Sequence, residues 1–158
     1  MIDKKVVLKE LEERYEELKK EMGLSMSFQE MEDEFSIKDA ILFDGFVGEK
    51  FSRQLCSKIA ERFANWSNYL NGLIVPNSGF LPSSTESKIF SLEEDKKLIW
   101  NLIKNLMAFT SKNSLIVTKG DKEMEKEFLE RSFLFWKNEF KPAASSIIKR
   151  VNEVWDGD

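Results

Sequence analysis

"FSRQLCSKIAERFANWSNYL", residues 51–70, sets Phe51, Leu55, Ile59, Phe63, Trp66 and Leu70 at spacings of three and four from end to end. Such spacing makes one face of a 3.6-residue helix apolar, and Arg53, Lys58, Glu61, Arg62, Asn65 and Asn68 occupy the other faces. It predicts a central core helix from Glu49 to about Leu70, closed by Gly72 and Pro76.

The same periodicity continues towards the N-terminus. Ser36, with Asp39 behind it, is expected to cap a short helix carrying Ile37, Ala40 and Ile41 and ending at Gly45. Ser27 and Glu30 have capping-box spacing ahead of Met31 and Phe35. Residues 3–22 form a further helix that stops at Gly23. Its stripe, Leu8, Leu11, Tyr15, Leu18 and Met22, is a 3.5-residue seam of the kind that closes a coiled coil or a bundle contact. The flanking Glu12, Arg14, Lys19 and Glu21 favour an antiparallel partner, which is either a helix of the same chain or a second copy.

Towards the C-terminus, Ser91 and Glu94 are spaced as a capping box for a helix running to about Asn113, and residues 114–118, "SLIVT", read as an extended connector. Asp121 opens a helix with Met124, Phe128, Phe133, Trp136 and Phe140. Pro142 opens a last one with Ala144, Ile147, Val151 and Trp155. The segment 73–90 has no helical cap and is long for a connection. It reads as an ordered crossover or a binding loop, in which Asn77, Ser78, Phe80 and Leu81 are the residues a ligand would meet. The expected fold is all-α: a single-domain bundle of six to seven helices, with residues 1–23 as an N-terminal heptad-type arm and 24–158 as the bundle.

Composition narrows the function. With 42% hydrophobic and 33% charged residues, the chain has the apolar content for a core of its own. There is no histidine, so Ser-His-Asp and Cys-His arrangements and the usual zinc sets are excluded. The one cysteine, Cys56, lies in the apolar stripe of the central helix, where it reads as a core residue of a protein from a reducing compartment. A net charge of −4 and basic runs no longer than pairs argue against nucleic acid as the partner. No long apolar run predicts a membrane span, so a cytoplasmic location is expected.

Residues 1–35 hold eleven acidic and six basic side chains. Among the acids, Glu12, Glu13 and Glu16, followed by Glu30 and Asp33, fit the EExxE…ExxD pattern of the MazG-like all-α nucleotide pyrophosphohydrolases, in which carboxylates hold Mg²⁺ against a triphosphate. The fit is to the pattern alone, and it implies Mg²⁺ only under that alternative. The reading favoured by the sequence is a non-enzymatic helical interaction or scaffold protein without cofactor, self-associating as a homodimer through Leu8, Leu11, Tyr15, Leu18 and Met22.

Overall fold

A computed structural model describes residues 3–157; the remaining ends of the expected arm and bundle ranges, residues 1–2 and 158, lie outside the described residues. The chain folds as α1 (Lys4–Met22), α2 (Phe28–Phe35), α3 (Ile37–Asp44), α4 (Phe51–Ile74), α5 (Leu81–Ser87), a 3-10 turn (Lys88–Phe90), α6 (Glu93–Lys119), α7 (Lys122–Phe135), a π-helical turn (Trp136–Phe140) and α8 (Lys141–Trp155). No strand occurs among the described residues, and the fold is all-α. No helix there is long and apolar enough to cross a membrane.

The 51–70 stripe forms the centre. Phe51, Leu55, Ile59, Phe63 and Leu70 are buried, and α4 packs along α6 through Ile99, Leu102, Ile103 and Leu106, with α7 against its other side. The helix runs past Gly72 and ends at Ile74, two residues before Pro76, because Leu73 is buried and its packing outweighs the flexibility of one glycine.

Helix α1 starts on Asp3, whose carboxylate accepts from the Lys5 amide, and stops at Gly23 as expected. Its stripe closes on the chain's own core. Leu11 and Tyr15 are 0% exposed, Leu18 and Met22 are buried, Leu8 is partly so, and Val7 joins them. The turn after α1 folds back over this face: Leu24 and Met26 are buried, and the Tyr15 hydroxyl donates to the Met26 carbonyl at 2.9 Å. This corrects the expectation of an inter-chain seam. A contact already filled by α2, α3 and α4 leaves Leu11 and Tyr15 no surface to offer a second copy.

The Ser27–Glu30 capping box is present in full. The other two serine caps are not, for one physical reason. An N-cap side chain reaches its amide only from extended backbone. Ser36 is left-handed, at φ 50°, and the Glu32 carboxylate takes over by accepting from the Lys38 amide at 2.8 Å. Ser91 is right-handed helical, at φ −75° and ψ −22°, because it follows the 3-10 turn directly. Helix α6 begins at Glu93, behind an N-cap Leu92 whose apolar side chain cannot cap, and Glu93, Glu94 and Asp95 place negative charge at its amino end.

Three connections also differ from expectation. Residues 114–118 continue α6 to Lys119: Ile116 is fully buried, and Thr110, Ser114 and Thr118 hydroxyls donate to the carbonyls four residues back, so the β-branched side chains are accommodated in a helix. Segment 73–90, expected as an ordered crossover or binding loop without helical caps, contains a helix, α5, held to α4 by Ser83 Oγ donating to the Gly72 carbonyl at 3.2 Å. There is no break before Pro142 either. Helix α7 passes through the π turn into α8, the Lys141 amide donating to the Trp136 carbonyl five residues back. Proline lacks an amide to donate to the carbonyl four residues behind it and crowds that carbonyl, and the wider turn accommodates both effects.

Candidate functional site: an aromatic trough with a cationic rim

The π turn puts Trp136 and Phe140 on one side of the α7–α8 rod, where they meet the outer edge of the α4 stripe. Phe63 and Trp136 stack with centroids 5.7 Å apart and planes 13° apart, Trp136 and Phe140 at 4.7 Å and 20°, and Trp66 meets Phe140 edge-on at 5.2 Å. Trp66 lines three adjoining depressions, of about 610, 330 and 550 Å³, and Trp136 joins it in the first and last of them. The first runs between α3 and α4, past Phe35, Ile37 and Ile59. The last follows α8 past Ala144 and Ile148. Phe43 stands at the rim 89% exposed.

Charge is distributed unevenly around this trough. Its lining includes Lys58, Arg62, Lys141 and Lys149 but Glu61 as the one acid. Lys58 is paired with Asp44 at 2.6 Å and Lys141 with Glu34 at 2.9 Å. Arg62 has no carboxylate within ion-pair distance among the described residues. It donates to the Glu34 carbonyl at 3.2 Å, and its guanidinium carbon lies 5.9 Å over the Trp136 ring. Burial pushes its pKa below the ordinary guanidinium value, and the nearby charge of Glu32 offsets part of that. The indole N–H of Trp136 is buried beneath it and has no acceptor among the described residues. A half-buried cation above an aromatic floor, in an apolar depression, is suited to receive a carboxylate carried on an apolar group.

A second concave place, of about 280 Å³, lies between α1, α4 and α7. Its wall contains the Glu125 carboxylate, 3% exposed, which accepts from the Ser52 hydroxyl and from Arg53 Nε. This cluster is internally matched. Cys56 packs behind it with its Sγ 3.8 Å from the Glu125 carbonyl, and burial pushes its thiol pKa up, which keeps it a neutral core group.

The residues singled out from the sequence lie elsewhere. Glu12, Glu13, Glu16, Glu30 and Asp33 are all exposed. Glu12 pairs with Lys38 at 3.7 Å, Glu13 with Lys9 at 3.7 Å, Glu30 completes its capping box, and Asp33 accepts from Gln29 at 2.6 Å. They do not converge. No group of three potential metal ligands occurs among the described residues, so the arrangement does not fit the Mg²⁺ that the pyrophosphohydrolase pattern implies. Asn77, Ser78, Phe80 and Leu81 are exposed in the turn into α5, where Asn77 Oδ1 accepts from the Gly79 amide at 3.0 Å; none of them lines the trough.

The sequence places Arg62 on a face of the central helix away from its apolar stripe, and Trp66 and Trp136 in the core. The signal that could have marked the trough was an arginine one position before the apolar residue Phe63 and four before the partly buried Trp66, with no acid four residues to either side to pair with it. No protein-family model, no curated protein and no solved structure matches this chain.

Proposed function

We propose that this chain is a non-enzymatic helical interaction module whose trough receives an apolar, carboxylate-bearing segment of a partner protein. The observation that carries the reading is Arg62, half-buried over Trp136 without a carboxylate partner. The trough is open along its length, which suits an amphipathic helix laid across it better than an engulfed small molecule. Apolar residues at i, i+3, i+4 and i+7 would cover Trp66, Tyr69 and Ile148, and an Asp or Glu would reach Arg62. The single buried thiol, Cys56, supports a cytoplasmic setting.

The test is selection from a displayed library of helical peptides on the full chain. Enriched sequences are expected to combine that apolar spacing with acidic residues, and to lose at least about tenfold in affinity, roughly 1.4 kcal/mol, against Arg62→Met. Peptides that bind Arg62→Met equally well would remove the carboxylate from the reading. Tight retention of a single-stranded oligonucleotide by the same residues would assign the trough to nucleic acid instead.

A further inference from the structure

The outer face of α6 is a separate matter from the trough. Opposite the buried residues Ile99, Leu102, Leu106 and Ile116, the 27-residue helix presents Trp100, Lys104, Met107, Ala108, Ser111 and Leu115 to solvent. Three of these are large and apolar, and they keep 51%, 46% and 47% exposure at Trp100, Met107 and Leu115. A soluble helix ordinarily turns charge outward here. Between Trp100 and Leu115 this face carries one lysine and no carboxylate, in a chain with 28 acidic residues.

We infer that this face is a contact between two copies of the chain, packed antiparallel about a two-fold axis that passes between Met107 and Ala108. The argument is the face's complementarity to itself. With 3.6 residues per turn, the three pairs that share a level in that register are Trp100 with Leu115, Lys104 with Ser111, and Met107 with Ala108. In every pair the two residues lean to opposite flanks of the stripe, as a and d positions do in an antiparallel coiled coil. Each level therefore sets a long side chain beside a shorter one. The hydroxyl of Ser111 can accept from the Lys104 ammonium, whose stem covers the apolar layers to either side. The small residues Ala108 and Ser111 sit at the centre, where the axes come closest.

A parallel pair in register would instead set Trp100 on Trp100 and Lys104 on Lys104, a steric and a charge conflict. One patch serving both partners is the isologous geometry of two-fold dimers. The self-association expected from the sequence is thereby assigned to α6, since α1 is spent on its own core.

Sedimentation equilibrium on the full chain tests the state, and mixed-disulfide formation tests the register. The wild-type chain is expected to sediment at twice its 18.5 kDa. A Met107→Glu/Leu115→Glu variant, altered at exposed positions only, is expected to be a monomer with unchanged helical circular dichroism. Chains carrying Lys104→Cys, mixed with chains carrying Ser111→Cys, are expected to cross-link to each other faster than either does to itself; Cys56 is buried and does not compete. A wild-type chain that stays monomeric at its highest soluble concentration overturns the inference. So does a double variant that remains dimeric, or cross-linking that prefers like with like.

Discussion

Arg53 Nε donates to the Glu125 carboxylate at 2.8 Å, joining the first turn of α4 to the first turn of α7 by an ion pair whose acidic partner is almost fully buried. The Ser52 hydroxyl donates to the same carboxylate. The other end of the guanidinium rests against Gly120, the left-handed residue (φ 70°) that ends α6, at a distance no Cβ could share. One arginine thus fixes the relative placement of α4, α6 and α7.

Glu125→Ala leaves Arg53 partly buried without its counter-charge. We expect a loss of about 3–5 kcal/mol in urea unfolding. Gly120→Ala should also destabilise, because its backbone is left-handed and its Cβ would displace the arginine fork. A loss below 1 kcal/mol for Glu125→Ala would show that the pair contributes no more than a surface bridge.

Leu11→Ala should lower stability by about 2–5 kcal/mol, the cost of a large-to-small change at a fully buried site, with no change in oligomeric state. Dissociation of a dimer into folded monomers by this substitution would return α1 to the inter-chain role that its burial argues against.

Arg150 grips Asp95 with two hydrogen bonds, at 2.8 and 2.9 Å, and ties α8 to the start of α6. These bonds hold the Asp95 carboxyl below its ordinary value. A depressed folded pKa means that the stabilisation is present above the unfolded value, about 3.9, and fades as pH falls through the lower folded one. The Arg150 side chain is 40% exposed, so the contribution should stay under about 1 kcal/mol. Wild type and Asp95→Asn are expected to differ in unfolding free energy at neutral pH and to converge in strong acid. A difference that persists in strong acid would point to packing instead.

Pro142→Ala supplies an amide where the π turn has none. Converting the π turn to a regular α turn would take one residue out of it and rotate α8 by about 100° against α7, and both are packed, α8 through Ala144 and Ile147 and α7 through Phe133 and Phe135. The turn should therefore persist. We expect an unchanged near-ultraviolet circular dichroism spectrum and a loss of roughly 0.4–1 kcal/mol acting through the more flexible unfolded chain. A collapsed aromatic signal would show that the proline itself maintains the turn.

Much of the architecture follows from local pattern alone. The spacing of Phe51, Leu55, Ile59 and Phe63 needs only the helical period and the exclusion of water to dictate a buried face, and Asp3, Ser27 and Asp121 cap their helices with groups only a few residues away. Such features are determined within a few turns of chain, and the sequence contains them complete. What failed depended on conformation that no local spacing pattern encodes. Whether Ser91 could cap was decided by the 3-10 turn before it, and whether "SLIVT" became helix by the burial of Ile116. The partner of the α1 stripe was decided by α2, α3 and α4, since an apolar seam has the same pattern whether its cover belongs to its own chain or another. The trough belonged to tertiary structure for the same reason. Arg62 lies on one helix and Trp136 on another rod, and only packing brings the cation over the ring and leaves it without a carboxylate.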